Sequence, residues 1–206
     1  MQLIGMLDSP FVRRTAISLQ MLGLPFEHRS LSVFRDYDEF RRINPLVKAP
    51  TLICDDGTQL IDSSLIIDYA ESTVAANRRL LPVETAPRRD ALRWIGLALL
   101  AAEKAVQIVY ERKRPDNFLY QPWLQRVGEQ LRSAGVALER EVGDLPAGWL
   151  QGEKPGQADI TVAVAWGFIQ LVVPEIMVAA DYPTLTAFSA RAEQLPAFQA
   201  WPLPSE

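Results

Sequence analysis

The stretch LDSPFVRR, residues 7–14, follows a short apolar run and decides how the chain begins to fold. Serine is favoured just before the first turn of a helix, and proline suits the first helical position. Ser9-Pro10 therefore predicts a strand-to-helix turn, with a strand over 2–7 and a helix over 10–22. Two interpretations of Ser9 follow. It caps the helix only, or its hydroxyl also serves a chemical site at the positive end of the helix dipole.

The next sixty residues keep alternating between strand and helix patterns. They predict strands over 26–31, 51–54 and 59–61, and helices over 37–43 and 63–71. The last two strands flank DDGT at 55–58, which is a good hairpin signal. The predicted order is β-α-β-α-β-β-α, a small sheet with helices packed on it.

The second half of the chain has a different pattern, with apolar residues at helical spacing throughout. Long helices are predicted over 88–112, 118–142, 158–173 and 183–194. The segment LLPVETAP at 80–87 holds two prolines and predicts a linker. We therefore expect an α/β domain over 1–79 and an all-helical domain over 88–206.

Composition narrows the class of protein. Of the 206 residues, 49% are apolar and 22% are charged, which is ordinary for a globular protein. The net charge of -4 argues against a partner bound through its phosphates, such as a nucleic acid. The apolar runs are too short to span a membrane, and the first residues make a poor secretory signal, so we expect a cytoplasmic protein. With one cysteine, Cys54, and one histidine, His28, we expect neither a disulfide nor a structural metal.

Four motifs follow one another along the chain: SPFVRR (9–14), NPLVKAPTL (44–52), LIDSSLIIDYA (60–70) and, in the helical half, KPGQADITVA (154–163). In this order they resemble the motifs of glutathione S-transferases. The resemblance covers nearly the whole chain. It implies a thioredoxin-like N-terminal domain that binds glutathione as co-substrate, an all-helical C-terminal domain, and a homodimer.

The resemblance gives Ser9 a chemical role. A hydroxyl that donates a hydrogen bond to a sulfur favours the thiolate over the thiol, and a helix N-terminus acts in the same direction. The family places Tyr, Ser or Cys at this position, and Ser goes with thiolate stabilisation and conjugation. Cys goes with thiol transfer, but Cys54 lies far along the chain and is expected to be a small core residue. A plain helix cap is the alternative for Ser9.

The resemblance also implies how the second motif meets glutathione. An X-Pro bond is cis in only about 5–6% of cases, but the family holds the proline at Pro50 cis. That geometry turns the backbone of Ala49 toward the cysteinyl part of glutathione, like an added strand. Lys48 then pairs with the glycyl carboxylate or is simply solvated, and Phe11 is expected beside the ligand.

The third motif places an acidic residue and a serine at a helix start. Similar proteins use this serine and the helix N–H groups to hold the γ-glutamyl carboxylate, while the acidic side chain meets the ligand's ammonium. Here these residues are Ser63 and Asp62, an Asp where Glu is more usual, so its reach is one methylene shorter. The alternative is a serine cap with an acidic neighbour.

Two further features of the sequence lie outside the predicted contacts with glutathione. Arg13 and Arg14 either assist the site electrostatically or face solvent, and we expect solvent for at least one of them. In the helical half, Gly156 stands where the family often has a hydroxyl cap, three residues before Asp159. Glycine is a tolerated cap, so this departure bears on stability.

The leading functional hypothesis is a glutathione transferase that adds the glutathione thiolate to small hydrophobic electrophiles in detoxification. The electrophile is expected against helices of 88–206, but no aromatic residue there is assigned to it. One alternative is a glutathione-dependent disulfide-bond reductase or peroxidase on the same fold. Another is a non-catalytic stress or accessory protein that resembles the transferases. No nucleic-acid or membrane partner is expected.

Overall fold

The computed structural model describes residues 1–143 and 148–204. These residues form two compact units. The first comprises Met1–Leu81 together with the described residues from Leu195 onward, and the second is Pro82–Gln194. The sequence placed the residues after 194 in the helical domain, so the C-terminal segment belongs to a different unit than expected.

The first unit has the predicted order of elements. Its strands are β1 (Gln2–Ile4), β2 (Glu27–Arg29), β3 (Thr51–Ile53) and β4 (Gln59–Leu60), and its helices are α1 (Pro10–Leu22), α2 (Tyr37–Ile43) and α3 (Ser63–Ser72). The order β-α-β-α-β-β-α is thereby confirmed. β1 is shorter than the predicted strand because Gly5 follows it with a φ of 138°, which turns the chain.

The four strands form one mixed sheet in the order β2-β1-β3-β4. β1 runs parallel to β2 and antiparallel to β3, and β3 and β4 form the predicted hairpin. Leu3 faces Leu52 across the central pair of strands. Both leucines join Val12 and Leu19 of α1 and Ile66 of α3 in one fully buried core. This packing holds the start of α1 beside the end of β1.

The second unit is built from long helices. They are α4 (Thr85–Arg112), α5 (Gln121–Gly143), α6 (Gln157–Val172) and α7 (Pro183–Ala192). α6 is buried along most of its length. α4 begins at Thr85, inside the predicted linker of 80–87. This is possible because Pro87 falls in the first turn, where a helix needs no N–H donor.

The C-terminal segment returns to the first unit. Its short helix α8 (Pro196–Ala200) packs on α1. The fully buried Arg13 donates from Nε to the carbonyl of Trp201 at 2.8 Å, and the Trp201 ring stacks on Phe26 with 5.0 Å between centroids. The expectation that Arg13 or Arg14 faces solvent was wrong, because both are buried. The hydrogen-bond partner of Arg13, the carbonyl of Trp201, lies 188 residues later in the sequence.

The side chain of Asp159 stabilises the start of α6. Its Oδ2 accepts a hydrogen bond from Gly156 N and its Oδ1 accepts one from Leu150 N, both at 2.8 Å. Burial raises the pKa of Asp159, and the two backbone hydrogen bonds oppose part of that rise. The Asp159 carboxylate therefore stabilises the helix start by satisfying two N–H groups from two segments.

Replacing Asp159 with alanine is expected to destabilise the protein by about 2–4 kcal/mol, because two buried N–H groups lose their acceptor. Urea unfolding followed by circular dichroism measures the loss. Asp159→Asn keeps one oxygen acceptor and is expected to fall between the wild type and the alanine variant. An alanine variant within about 0.5 kcal/mol of the wild type, the usual range for neutral surface changes, would contradict this role.

Candidate functional site

Ser9 stands where β1 turns into α1. It is the N-cap of α1, with extended backbone angles of φ -74° and ψ 122°, and Val12 N donates to its Oγ at 3.4 Å. A serine hydroxyl has one proton to donate as well as lone pairs to accept with. The cap uses Oγ only as an acceptor, so the hydroxyl proton remains available. Capping the helix and donating to a ligand are therefore compatible roles for this half-buried residue.

The loop that carries Ala49 lies against the same turn. A Cβ atom at Gly5 would come within 2.6 Å of Val12 Cγ2 and 3.0 Å of Ala49 Cβ. Only glycine suits this position, since its φ of 138° is also strained for other residues. The sequence interpretation had no role for Gly5, which allows the Ala49 loop to approach α1.

Three other residues of the predicted site flank Ala49 or Ser9 in the sequence. The Ala49-Pro50 bond is cis, the geometry that the resemblance implied. Pro50 is buried and the side chain of Lys48 is exposed. Phe11 is half-buried in the first turn of α1. The structure thus places Ala49 close to Gly5, at the end of β1, and it leaves both interpretations of Lys48 open.

The start of α3 differs from the simplest sequence interpretation. Asp62 is the N-cap, and its Oδ1 accepts hydrogen bonds from Ser64 N at 2.8 Å and Leu65 N at 3.4 Å. Ser63 is the first helical residue and is buried. A serine cap at Ser63 is therefore excluded, and its hydroxyl has another partner.

That partner is Arg14 of α1, for which the sequence left electrostatic support of the site and exposure to solvent as alternatives. Arg14 is only 3% exposed, and its Nη1 donates to Ser63 Oγ at 2.9 Å and to Ser64 Oγ at 3.2 Å. Its Nε has no hydrogen-bond partner among the described residues. A signal existed in the sequence, because Arg14 follows Pro10 by four residues and precedes Ile17 by three, which places it on a buried helix face.

The charge of Arg14 persists despite its burial. Desolvation lowers the pKa of Arg14 to about 10, and the negative charge of Asp62 opposes part of that fall. A pKa of about 10 keeps the guanidinium protonated at neutral pH. A buried positive charge consequently lies beneath the N-terminus of α3, which is itself the positive end of a helix dipole. Such a place favours an anionic group.

Cys54 takes no part in this arrangement. It lies just after β3, is buried in the core of the first unit, and its N–H donates to Thr58 O across the hairpin. These contacts agree with the expected role of a small core residue.

The arrangement therefore combines a serine hydroxyl at one helix N-terminus with a second helix N-terminus above a buried arginine. It can hold an anionic sulfur and a carboxylate. Within residues 1–143 and 148–204, no three His, Cys, Asp or Glu side chains gather as a possible metal site. Among the same residues, no helix is both long and apolar enough to cross a bilayer.

This fold is a thioredoxin-like domain followed in sequence by a helical one. The chain matches family models for the glutathione S-transferase N-terminal domain over residues 3–78 and C-terminal domain over residues 121–201. It therefore belongs to the glutathione S-transferase family, as its motifs indicated.

Individual relatives share about a quarter of their residues with this chain. The uncharacterized GST-like protein YibF of Escherichia coli is 28% identical over 82% of both chains. The maleylacetoacetate isomerase of Pseudomonas aeruginosa is 28% identical over 71% of both chains. A glutathione S-transferase of Methylobacterium radiotolerans, solved in complex with glutathione sulfonate, superposes with a TM-score of 0.90. It is 28% identical, and the match covers 100% of this chain and 96% of that one.

Proposed function

We propose that this protein is a glutathione transferase that joins the glutathione thiolate to small hydrophobic electrophiles. The observation that carries the proposal is the meeting of Ser9, Ala49 and Ser63 around α1. Ala49 and Val12 of that helix both approach Gly5, and Arg14 of the same helix binds Ser63. Three motifs far apart in sequence thereby offer a hydroxyl, a backbone edge and a carboxylate site to one ligand.

The chemistry begins with ionisation of the glutathione thiol. A free thiol of this kind has a pKa near 8.5 and is mostly protonated at neutral pH. A hydrogen bond from the Ser9 hydroxyl and the dipole of α1 both stabilise the thiolate, and the thiol proton passes to solvent. The sulfur lone pair then forms a C–S bond to the electrophile. With an aryl halide, the halide leaves with the electron pair of its bond to carbon.

The rest of glutathione is held by the other two motifs. We place the γ-glutamyl carboxylate at the N-terminus of α3, where it accepts a hydrogen bond from the Ser63 hydroxyl. Ser63 Oγ already accepts a hydrogen bond from Arg14, so its own proton points elsewhere. Asp62 uses Oδ1 for the cap and meets the ligand's ammonium through its negative charge. Ala49 pairs with the cysteinyl backbone beside Pro50, Phe11 lies along the ligand, and Lys48 faces the glycyl carboxylate.

The isomerase relative favours a second candidate function. A thiolate that adds to a conjugated double bond, allows rotation, and leaves again would isomerise the bond without forming a stable conjugate. The same Ser9 hydroxyl would serve this reaction, because it too requires a thiolate. A disulfide reductase or peroxidase and a non-catalytic binding protein are the remaining alternatives.

One set of assays separates these functions. We expect the purified protein to bind glutathione in a calorimeter and to conjugate it to an aromatic halide. Turnover of a conjugated cis-alkene without loss of glutathione would select the isomerase. Activity on a small disulfide or a hydroperoxide, with none on the halide, would select the reductase or peroxidase. No heat of binding and no rise in melting temperature with glutathione would contradict all of these enzymes.

We also propose a cellular location, an oligomeric state and a biological role for the enzyme. We place it in the cytoplasm as a homodimer with a role in detoxification, by its similarity to the family. The helical unit supplies the surface for the electrophile. Light scattering coupled to gel filtration tests the dimer, with a mass of one 23.1 kDa chain as the contradicting result.

A further inference from the structure

The loop between α2 and β3 contains a residue in an unusual backbone conformation. Val47 has a φ of 47°, in the left-handed region that β-branched residues rarely adopt. It directly precedes Lys48 and Ala49. Local sequence preference therefore opposes the path that this loop takes, and other contacts must hold the loop in place.

Two buried side chains supply those contacts. Asn44 is 4% exposed and Thr51 is completely buried. Asn44 Oδ1 accepts from Leu46 N at 3.0 Å, and Asn44 Nδ2 donates to Thr51 Oγ1 at 2.8 Å. Thr51 Oγ1 in turn donates to the carbonyl of Lys48 at 2.6 Å. The backbone adds a bond from Val47 N to Asn44 O at 2.9 Å.

The direction of each hydrogen bond in this network is determined. Leu46 N can only donate, so the side-chain atom of Asn44 that faces it is the oxygen. The amide nitrogen of Asn44 then faces Thr51 and can only donate as well. The Thr51 hydroxyl proton is therefore directed to the Lys48 carbonyl, which is bonded to the nitrogen of Ala49.

We infer that Asn44 and Thr51 are positioning residues for glutathione: their hydrogen bonds fix the peptide between Lys48 and Ala49, which presents the backbone of Ala49 to the ligand. This inference rests on the proposed function. It makes the affinity for glutathione depend on two side chains that do not touch it. Ser9 is supported by a different segment, so the chemical step is expected to be unaffected once glutathione is bound.

Thr51→Val tests the inference, because valine keeps the shape of threonine and removes the hydroxyl. We expect the Kd and the KM for glutathione to rise about tenfold, the effect of one lost buried hydrogen bond. The kcat at saturating glutathione is expected to stay within about twofold, since the interaction removed concerns binding only. Thr51→Ser keeps the hydroxyl and should restore affinity.

A second variant covers the case in which Thr51→Val does not fold. Asn44→Asp keeps the acceptor for Leu46 N but replaces the donor to Thr51 with an oxygen, which draws the Thr51 proton away from Lys48. We expect a similar rise in Kd. The matched control is Thr161→Val in the helical unit, where an equally buried threonine donates to Gln157 O at 2.8 Å. It should leave the Kd unchanged.

Glutathione binding by the wild type distinguishes a failure of the proposed function from a failure of this inference alone. If it does not bind glutathione, the proposed function fails and this inference fails with it. If it binds while the folded Thr51 and Asn44 variants keep its Kd within about twofold, the inference alone is overturned. A serine variant as weak as the valine variant, or a control as weak as either, would also overturn it.

Discussion

Replacing Ser9 with alanine is expected to lower the rate of glutathione conjugation about 100-fold. The size follows from removing one preorganised hydrogen-bond donor from an anionic sulfur, which typically costs that much or more in kcat. Ser9 lies at the N-terminus of α1 with its proton available, because its Oγ only accepts in the cap. Steady-state kinetics with an aromatic halide at saturating glutathione measure the effect.

Two further substitutions separate catalysis from helix capping. Ser9→Thr keeps both the cap and the hydroxyl, so it should retain most of the activity. Ser9→Gly is a tolerated cap that costs only a few tenths of a kcal/mol, but it has no hydroxyl. It should therefore be as inactive as the alanine variant while nearly as stable as the wild type. An active glycine variant would show that Ser9 is only a cap.

The second large effect concerns Arg14. Replacing it with methionine is expected to raise the Kd for glutathione about 10- to 100-fold. The variant removes the buried charge beneath α3 and the hydrogen bond that orients Ser63, and a hydrogen bond to a charged group contributes about 1.5–3 kcal/mol. Stability should change little, because an apolar side chain of similar length relieves the burial of a charge. Calorimetric titration and thermal unfolding measure the two quantities on one sample.

The neighbouring arginine provides the control. Arg13 is also buried, and its Nε donates to the Trp201 carbonyl of the C-terminal segment. Arg13→Met removes a hydrogen bond to the C-terminal segment, so it should leave the Kd for glutathione within about twofold of the wild type. Equal losses of affinity in both variants would show a general effect on α1. Unchanged affinity in Arg14→Met would remove Arg14 from the site.

The sequence predicted the order of the elements because each one is encoded locally. Ser9-Pro10 marks the start of α1, and the DDGT turn pairs β3 with β4. Helical spacing similarly revealed the long helices of the second unit. These features depend on residues within a few positions of each other, which is the range over which patterns are informative.

What the sequence did not show depends on contacts between distant residues. Arg13 is buried by Trp201, and Arg14 is buried against Ser63, so their charges suggested solvent when considered alone. The cap of α3 is Asp62 and not Ser63, and the difference lies in side-chain geometry that a dipeptide does not reveal. Gly5 is required by the approach of Ala49, some 44 residues later.

The central claim is that Ser9 stabilises the thiolate of bound glutathione. Its most direct test is the pKa of that thiol, measured from the ultraviolet absorbance of the thiolate in the binary complex across a range of pH. A donor to the thiolate lowers the pKa, so the midpoint for the wild type should lie well below the free-thiol value of about 8.5. In Ser9→Ala it should return toward that value. The same midpoint in both proteins would contradict the claim.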